Sequence, residues 1–277
     1  MKKNSQLRQI ILICASVVIL SPSISFADED DATVEATDKN DKTGTNPINF
    51  QRDIRFYNEY QWLDTEGDGN QNIITNEFRT PFAGGKWQFR SRIRYAGIEA
   101  DLNDDGNDDI DENGFGDADF RLLTVPYLKG RNAFAYALEV FLDTASEDVL
   151  GAGTTSLGPQ AFYVRFFPRG LFAPGLQYKF SIDEDSGRDD TDQILIDLNL
   201  LILAKNKLSW FFTDPQIVID NENNEEFALI DLEYGWMMQR WFPEAKGQSV
   251  YIRPSFSVGA DRPTDASLEI GYKIVGW

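Results

Sequence analysis

Residues 86–95 alternate in character. Trp87, Phe89, Ile93 and Tyr95 fall on one parity, and Lys86, Gln88, Arg90, Arg92 and Arg94 on the other. A β-strand turns successive side chains to opposite faces, so this stretch predicts a strand with one apolar and one basic face. A helix would scatter the same residues around its circumference. The pattern recurs along the chain. Phe50, Ile54, Phe56, Tyr60 and Trp62 oppose Gln51, Asp53, Arg55, Glu59 and Gln61, with Arg52 and Asn58 as exceptions. Phe134, Tyr136, Leu138, Val140 and Leu142 oppose Ala135, Ala137, Glu139 and Asp143. Phe162, Val164 and Phe166 oppose Tyr163 and Arg165. Ile194, Ile196, Leu198, Leu200 and Ile202 oppose Asp197 and Asn199. Ile230, Leu232, Tyr234 and Trp236 oppose Asp231 and Glu233. Further strands are predicted near 172–182, 250–258 and 268–274. Weaker ones lie at 73–82, at 117–128 where the parity is ambiguous, and at 207–219 where Pro215 interrupts the run. The pattern predicts about twelve strands, each long enough to cross a bilayer at a tilt.

The connections carry a second pattern. Counted from the first strand, the odd ones (64–71, 98–116, 144–156, 183–191, 220–225 and 259–265) are acidic, and two of them are long. The even ones (83–85, 129–132, 168–170, 204–206 and 239–248) are mostly short, and all but the first contain Lys or Arg. Short turns alternating with long loops are characteristic of outer-membrane barrels, with the turns in the periplasm and the loops outside. The predicted fold is therefore all-β: an antiparallel, up-and-down transmembrane β-barrel. A secreted β-sandwich, with the apolar faces packed into a core, is the competing architecture. In the barrel Trp62, Trp87, Tyr95, Tyr234, Trp236 and Tyr272 suit the aromatic girdles at the two interfaces. Trp277 ends the chain on an aromatic residue, as barrels tend to, but off the parity of Ile270, Tyr272 and Ile274.

The N-terminal region separates into two segments. Residues 1–27 read as a secretory signal: Lys2, Lys3 and Arg8, a short apolar run, then Ser25-Phe26-Ala27 before the expected cleavage. Residues 28–47 are polar and acidic and read as a flexible leader, which leaves 48–277 for the barrel. Cys14, the only cysteine, lies in the signal, so the mature chain is expected to use no disulfide, thiol nucleophile or thiolate metal site. The formal charge of −19 becomes more negative once the signal is removed. Such an acidic excess argues against a nucleic-acid partner.

The sequence contains no histidine. This removes the commonest general base. Outer-membrane phospholipase, lipid A deacylase and omptin-type barrels are of similar size, but their chemistry depends on histidine and does not carry over. The expectation is a non-enzyme that requires no cofactor.

Two residue sets are candidates for function. In a barrel Arg90, Arg92, Arg94, Glu139, Asp143, Asp197, Asp231 and Glu233 would line the lumen. There they would either set a transverse field across a pore or neutralise one another in a closed one. Asp101, Asn103, Asp105, Asn107, Asp109 and Glu112 take positions 1, 3, 5, 7, 9 and 12 of a calcium-loop pattern, with Gly106 at position 6. Asp108 stands at position 8, where an apolar residue is usual. The two readings of this loop are a bound calcium ion and a solvated acidic tip.

Gly114-Phe-Gly116-Asp117 precedes one strand, Leu142-Asp-Thr-Ala ends the next, and Leu150-Gly-Ala-Gly153 with Leu157-Gly-Pro159 follows. This arrangement resembles the outer-membrane proteins grouped as the phenol-degradation meta-pathway transporter-like family. Asp143 and Ala145 depart from the family's Leu-Pro-Thr-Gly strand end. The resemblance covers 114–182 and implies a barrel passing small, often hydrophobic molecules, without catalytic residues. The expected protein is a monomeric channel or uptake protein of the cell outer membrane. Its expected contacts are membrane lipid, lipopolysaccharide, the barrel assembly machinery and a small-molecule solute. The alternative is a non-conducting structural or surface-interaction barrel with calcium-binding loops.

Overall fold

The computed structural model describes residues 43–64, 69–101, 109–182 and 190–276. The strands are β1 (Asp53–Leu63), β2 (Gly69–Phe82), β3 (Trp87–Ala100), β4 (Ile110–Phe115), β5 (Asp119–Lys129), β6 (Asn132–Phe141) and β7 (Ser156–Phe167). They continue with β8 (Gly170–Ser181), β9 (Asp192–Leu203), β10 (Ser209–Asp220), β11 (Glu225–Met237), β12 (Gln248–Val258) and β13 (Thr264–Val275). Sequential strands pair antiparallel, β13 returns to β1, and β2 pairs with β3, which closes the sheet. β4 and β5 share one place in the wall. β4 pairs with the far end of β3 (Ala100 opposite Ile110) and β5 with its near end (Trp87 opposite Thr124). Counting them together, the molecule is the closed, up-and-down, twelve-strand barrel that the alternation predicts.

Burial distinguishes the barrel from a sandwich. Phe56, Trp62, Ile74, Trp87, Ile93, Tyr95, Leu138 and Tyr234 are exposed on the outside. Their polar alternates Asp53, Arg55, Glu77, Arg90, Glu139 and Glu233 are buried inside. On β13 Ile270 is 58% exposed and Lys273 is 0% exposed. A soluble sandwich would reverse both. Apolar atoms gain by facing lipid, and closure leaves no strand edge unpaired within the membrane.

The ambiguous parity of 117–128 has a local cause. The β5–β6 register shifts between Thr124 and Tyr127, and a bulge there flips the face that later side chains occupy. The chain after the last strand turns through Gly276, whose φ is +69°. Its N–H donates to the Arg52 carbonyl at 2.8 Å. Trp277 lies outside the described residues.

The interior is not polar throughout. Towards the short-turn end Leu123, Val164, Leu171, Leu201, Trp210 and Met237 form an apolar cluster with the alanines of β6. Phe162, Val164 and Phe166 belong to this interior, so β7 presents its apolar parity to the lumen there, unlike its neighbours. The reason is volume. Across the β6–β7 pairing the inward residues are Ala133, Ala135 and Ala137, which leave room for rings. On the outer side Tyr163 and Arg165 both donate to Asn132 Oδ1, at 2.6 and 2.8 Å. Glycines make further room. A Cβ at Gly235 would lie 2.0 Å from the Trp210 ring, one at Gly271 2.2 Å from Tyr251, and one at Gly175 2.5 Å from Phe162. In each case the glycine is the cross-strand partner of the aromatic residue.

Residues 43–47, which the sequence pattern assigns to the leader, lie inside the barrel. Thr43 and Asn46 are buried, and Arg55 Nη2 donates to the Gly44 carbonyl at 2.5 Å. Ile48 is 3% exposed and joins the apolar cluster. The pattern of 43–47 carries no alternation to signal this, because the segment is held by its backbone and by one following side chain. The signal segment 1–27 lies outside the described residues.

Candidate functional site: a charged cavity above a plugged floor

The alternation that drives apolar side chains into lipid places their polar neighbours in the lumen, and register then decides which charges meet. On β3, Arg90, Arg92 and Arg94 point inward at successive levels. All three converge on Asp119 of β5, which is 0% exposed. Arg90 Nη2 donates to Oδ1 at 3.3 Å, Arg92 Nε to both oxygens at 2.9 Å, and Arg94 Nη2 to Oδ2 at 2.6 Å. Glu139 of β6 accepts from Arg90 and, at 2.9 Å, from Arg92. The arginine ladder is therefore largely neutralised by a carboxylate pair. Asp119 was not among the candidate residues, because the β5 bulge hid its parity.

A second knot sits on the opposite arc. Glu233 accepts from Trp210 Nε1 at 2.6 Å, from Lys273 Nζ at 3.0 Å and from Arg253. Arg253 also pairs with Glu269 at 3.3 Å. A third group links Arg55 to Asp53 at 2.5 Å and to Glu77 at 3.3 Å, with Arg79 on Glu77 at 2.5 Å. Buried pairs of this kind are costly to desolvate and persist only when several hydrogen bonds satisfy each ion, which these arrangements provide.

The predicted pore-lining set thus divides. Arg90, Arg92, Arg94, Glu139 and Glu233 are wall residues locked in networks. Asp197 and Asp231 line the central cavity outside those networks. Asp143 is not among the residues that line the cavity. It lies beyond the end of β6 and is exposed, its N–H directed to Thr155 Oγ1 at 3.5 Å. The β6 strand ends at Phe141, so the alternation that included Asp143 runs past the wall into the outer connection.

The cavity has a volume of about 360 Å³. Gly44, Thr45 and Pro47 line part of it together with wall residues including Arg121, Asp197, Asp214 and Asp231. The apolar cluster with Ile48 closes beneath it on the short-turn side.

The glycine-rich motif proves to be a loop clamp. Asp117 Oδ1 accepts from the N–H groups of Thr144 and Ala145 at 3.0 and 3.1 Å, and Oδ2 from Ala152 at 2.7 Å. Gly151 packs where a Cβ would lie 2.5 Å from Ala145, and Gly114 and Gly116 lie against Ser146 and Leu150. The backbone carbonyl of Asp117 also accepts from Arg94 Nη1 at 2.7 Å, tying the outer loop to the wall network. Asp117→Ala is expected to leave three loop N–H groups without their acceptor and expose 144–152 to protease while the barrel stays folded. Limited proteolysis with boiled and unboiled gel lanes checks this, and an unchanged digestion pattern would contradict the clamp.

Of the calcium-loop residues, Asn103, Asp105 and Asn107 lie outside the described residues. Asp101 is buried at the end of β3, Asp109 donates its N–H to the Ala100 carbonyl at 2.8 Å, and Glu112 is exposed on β4. Among the described residues no three acidic side chains converge on a metal position.

No family model and no curated protein matches this sequence. Solved structures do. An outer membrane channel from Pseudomonas putida F1 superposes with a TM-score of 0.63 over 82% of this chain and 95% of that one, at 8% identity. The β-domain of a Bordetella autotransporter gives 0.49 over 81% and 98%, at 11% identity. The KdgM porin gives 0.46 over 80% and 98%, at 10% identity. The fold is that of an outer-membrane β-barrel. The outward apolar belt and the closed sheet place the chain in the cell outer membrane.

Proposed function

We propose that this barrel is a monomeric outer-membrane channel that takes up small molecules passively and does no chemistry on them. The observation that carries this reading is the polar cavity of about 360 Å³ inside a closed wall. A purely structural barrel of this girth gains by filling its interior, yet this one keeps an open space lined with charge. The superposition on a channel at a TM-score of 0.63, and the partial likeness of 114–182 to the phenol-degradation meta-pathway transporter-like family, support the same reading. Membrane lipid and lipopolysaccharide would surround the belt, and the assembly machinery would insert it.

A second reading, a non-conducting barrel, draws support from the neutralised ladder and from Ile48 packed into the apolar floor. Swelling of liposomes containing the refolded chain separates the two. Liposomes carrying the full chain are expected to swell faster in a pentose-sized solute than protein-free ones. If neither the full chain nor a chain lacking 43–50 lets the solute in, the channel reading falls and the second stands.

A further inference from the structure

We infer that the central cavity is a binding site for a small zwitterion, with its cationic group on Asp214 and Asp231 and its anionic group on Arg121. The inference rests on reading the lumen as a solute path, and it adds the class of solute.

The acidic side comes first. Asp214 of β10 and Asp231 of β11 stand directly opposite each other in register. Like charges so placed destabilise a sheet. Neither is within ion-pair distance of a Lys or Arg among the described residues. Gln216 Nε2 donates to one Asp214 oxygen at 3.0 Å, while Asp214 Oδ1 and Asp231 Oδ1 are buried with no hydrogen-bond partner. Asp231 is only 9% exposed. Asp197, opposite Gln216 on β9, extends the same patch. Its cross-strand partner on β8 is Gly175, which has no side chain to compensate it. Among the described residues no three carboxylates converge on a metal position, so the patch is not read as a metal cage. An ammonium group, larger than a metal ion and carrying several N–H donors, suits carboxylates spread over neighbouring strands.

The basic side is set by the same register logic. Arg79, Arg90 and Arg121 are consecutive cross-strand partners on β2, β3 and β5. Arg79 is matched by Glu77, and Arg90 by Asp119 and Glu139. Arg121 is opposite Glu139, but that carboxylate is taken by Arg90, Arg92 and Gln160. Arg121 makes no ion pair among the described residues, and its Nε is buried without an acceptor. Strands β6 to β9 separate β5 from β10, so the surplus guanidinium and the surplus carboxylates face one another across the lumen. The intervening wall offers Gln160 Oε1 and Gln177 Nε2, both unpartnered. A singly charged solute would satisfy one wall and leave the other bare. A zwitterion satisfies both.

The test is calorimetry on the detergent-solubilised full chain, with 4-aminobutanoate, butylamine and butanoate as probes. Because each of its charged groups would meet its own partner in the cavity and a charged hydrogen bond outweighs a neutral one, 4-aminobutanoate is expected to bind about tenfold or more tighter than either singly charged probe. Asp214→Asn combined with Asp231→Asn should weaken 4-aminobutanoate to the level of butanoate. Arg121→Gln should weaken it to the level of butylamine. Removing the paired like charges relieves repulsion, so the double variant should fold, as unboiled gel mobility will show. Equal binding of all three probes, binding by none, or variants that bind like the parent would overturn the inference. Binding of the zwitterion without liposome entry would leave the site standing and sink the channel reading. Entry of neutral solutes with no zwitterion preference would do the reverse.

Discussion

Asp119→Ala is expected to destabilise the barrel by about 3–5 kcal/mol, the cost of breaking a buried ionic network from its centre. Among the described residues Asp119 is the one carboxylate that touches all three ladder arginines, and it is fully buried. Among the described residues its loss leaves Arg94 with only the Asp117 carbonyl, and leaves Arg90 and Arg92 sharing Glu139. Guanidinium groups cannot shed their charge to escape, so the cost stays electrostatic. The freed Arg94 also loosens its grip on the outer loop that Asp117 clamps. Urea unfolding in liposomes, followed by tryptophan fluorescence, measures the change. Coupling supplies the control: Asp119→Ala combined with Arg92→Gln should lose less than the sum of the two single changes, because they share one network. A single variant within about 1 kcal/mol of the parent would show that lumen water already screens the ladder.

The fold was legible because a transmembrane barrel repeats one physical instruction along every strand. Trp87 to Tyr95 on one parity and Gln88 to Arg94 on the other require an apolar surrounding on one side and a polar one on the other, and loop lengths alternating short and long favour the barrel over a sandwich. The site was legible only in part. Sequence parity puts Arg90, Glu139, Asp197, Asp231 and Glu233 on the polar faces of their strands, where the first four line the cavity and Glu233 bonds Trp210. It cannot say which of them pair, since pairing depends on register between strands distant in the chain. Glu233 finds Lys273 only because β11, β12 and β13 are neighbours. Asp119, Arg121 and Asp214 escaped notice for local reasons: a bulge hides the first two, and Pro215 breaks the run around the third. The strand carrying Phe162, Val164 and Phe166 misled because apolar residues were expected to face lipid. Inside this barrel the facing alanines leave a space that only rings and branched chains fill.

Deleting residues 43–50 is expected to raise single-channel conductance several-fold and leave the barrel intact. The segment is not part of the wall, since β1 begins at Asp53 and pairs with β2 and β13 along its length. What holds the segment is local: the Arg55 bond to the Gly44 carbonyl, Ile48 in the apolar cluster, and an Asn46 side chain that accepts from the Ile48 N–H at 3.2 Å. Arg55 keeps Asp53 and Glu77 after the deletion, so no ion is stranded. The apolar floor would lose a residue that narrows it, and the charged cavity would open further toward the periplasm. A narrower change tests the same point: Ile48→Asp carries a charge into the cluster, against the burial that gives an isoleucine about 1.5–3 kcal/mol. It should release the segment without shortening the chain. Planar-bilayer recordings of parent, deletion and Ile48→Asp side by side decide it. If both variants conduct like the parent, the floor is held by Leu171, Leu201, Trp210 and Met237 alone, and the segment at 43–50 fills space without gating it.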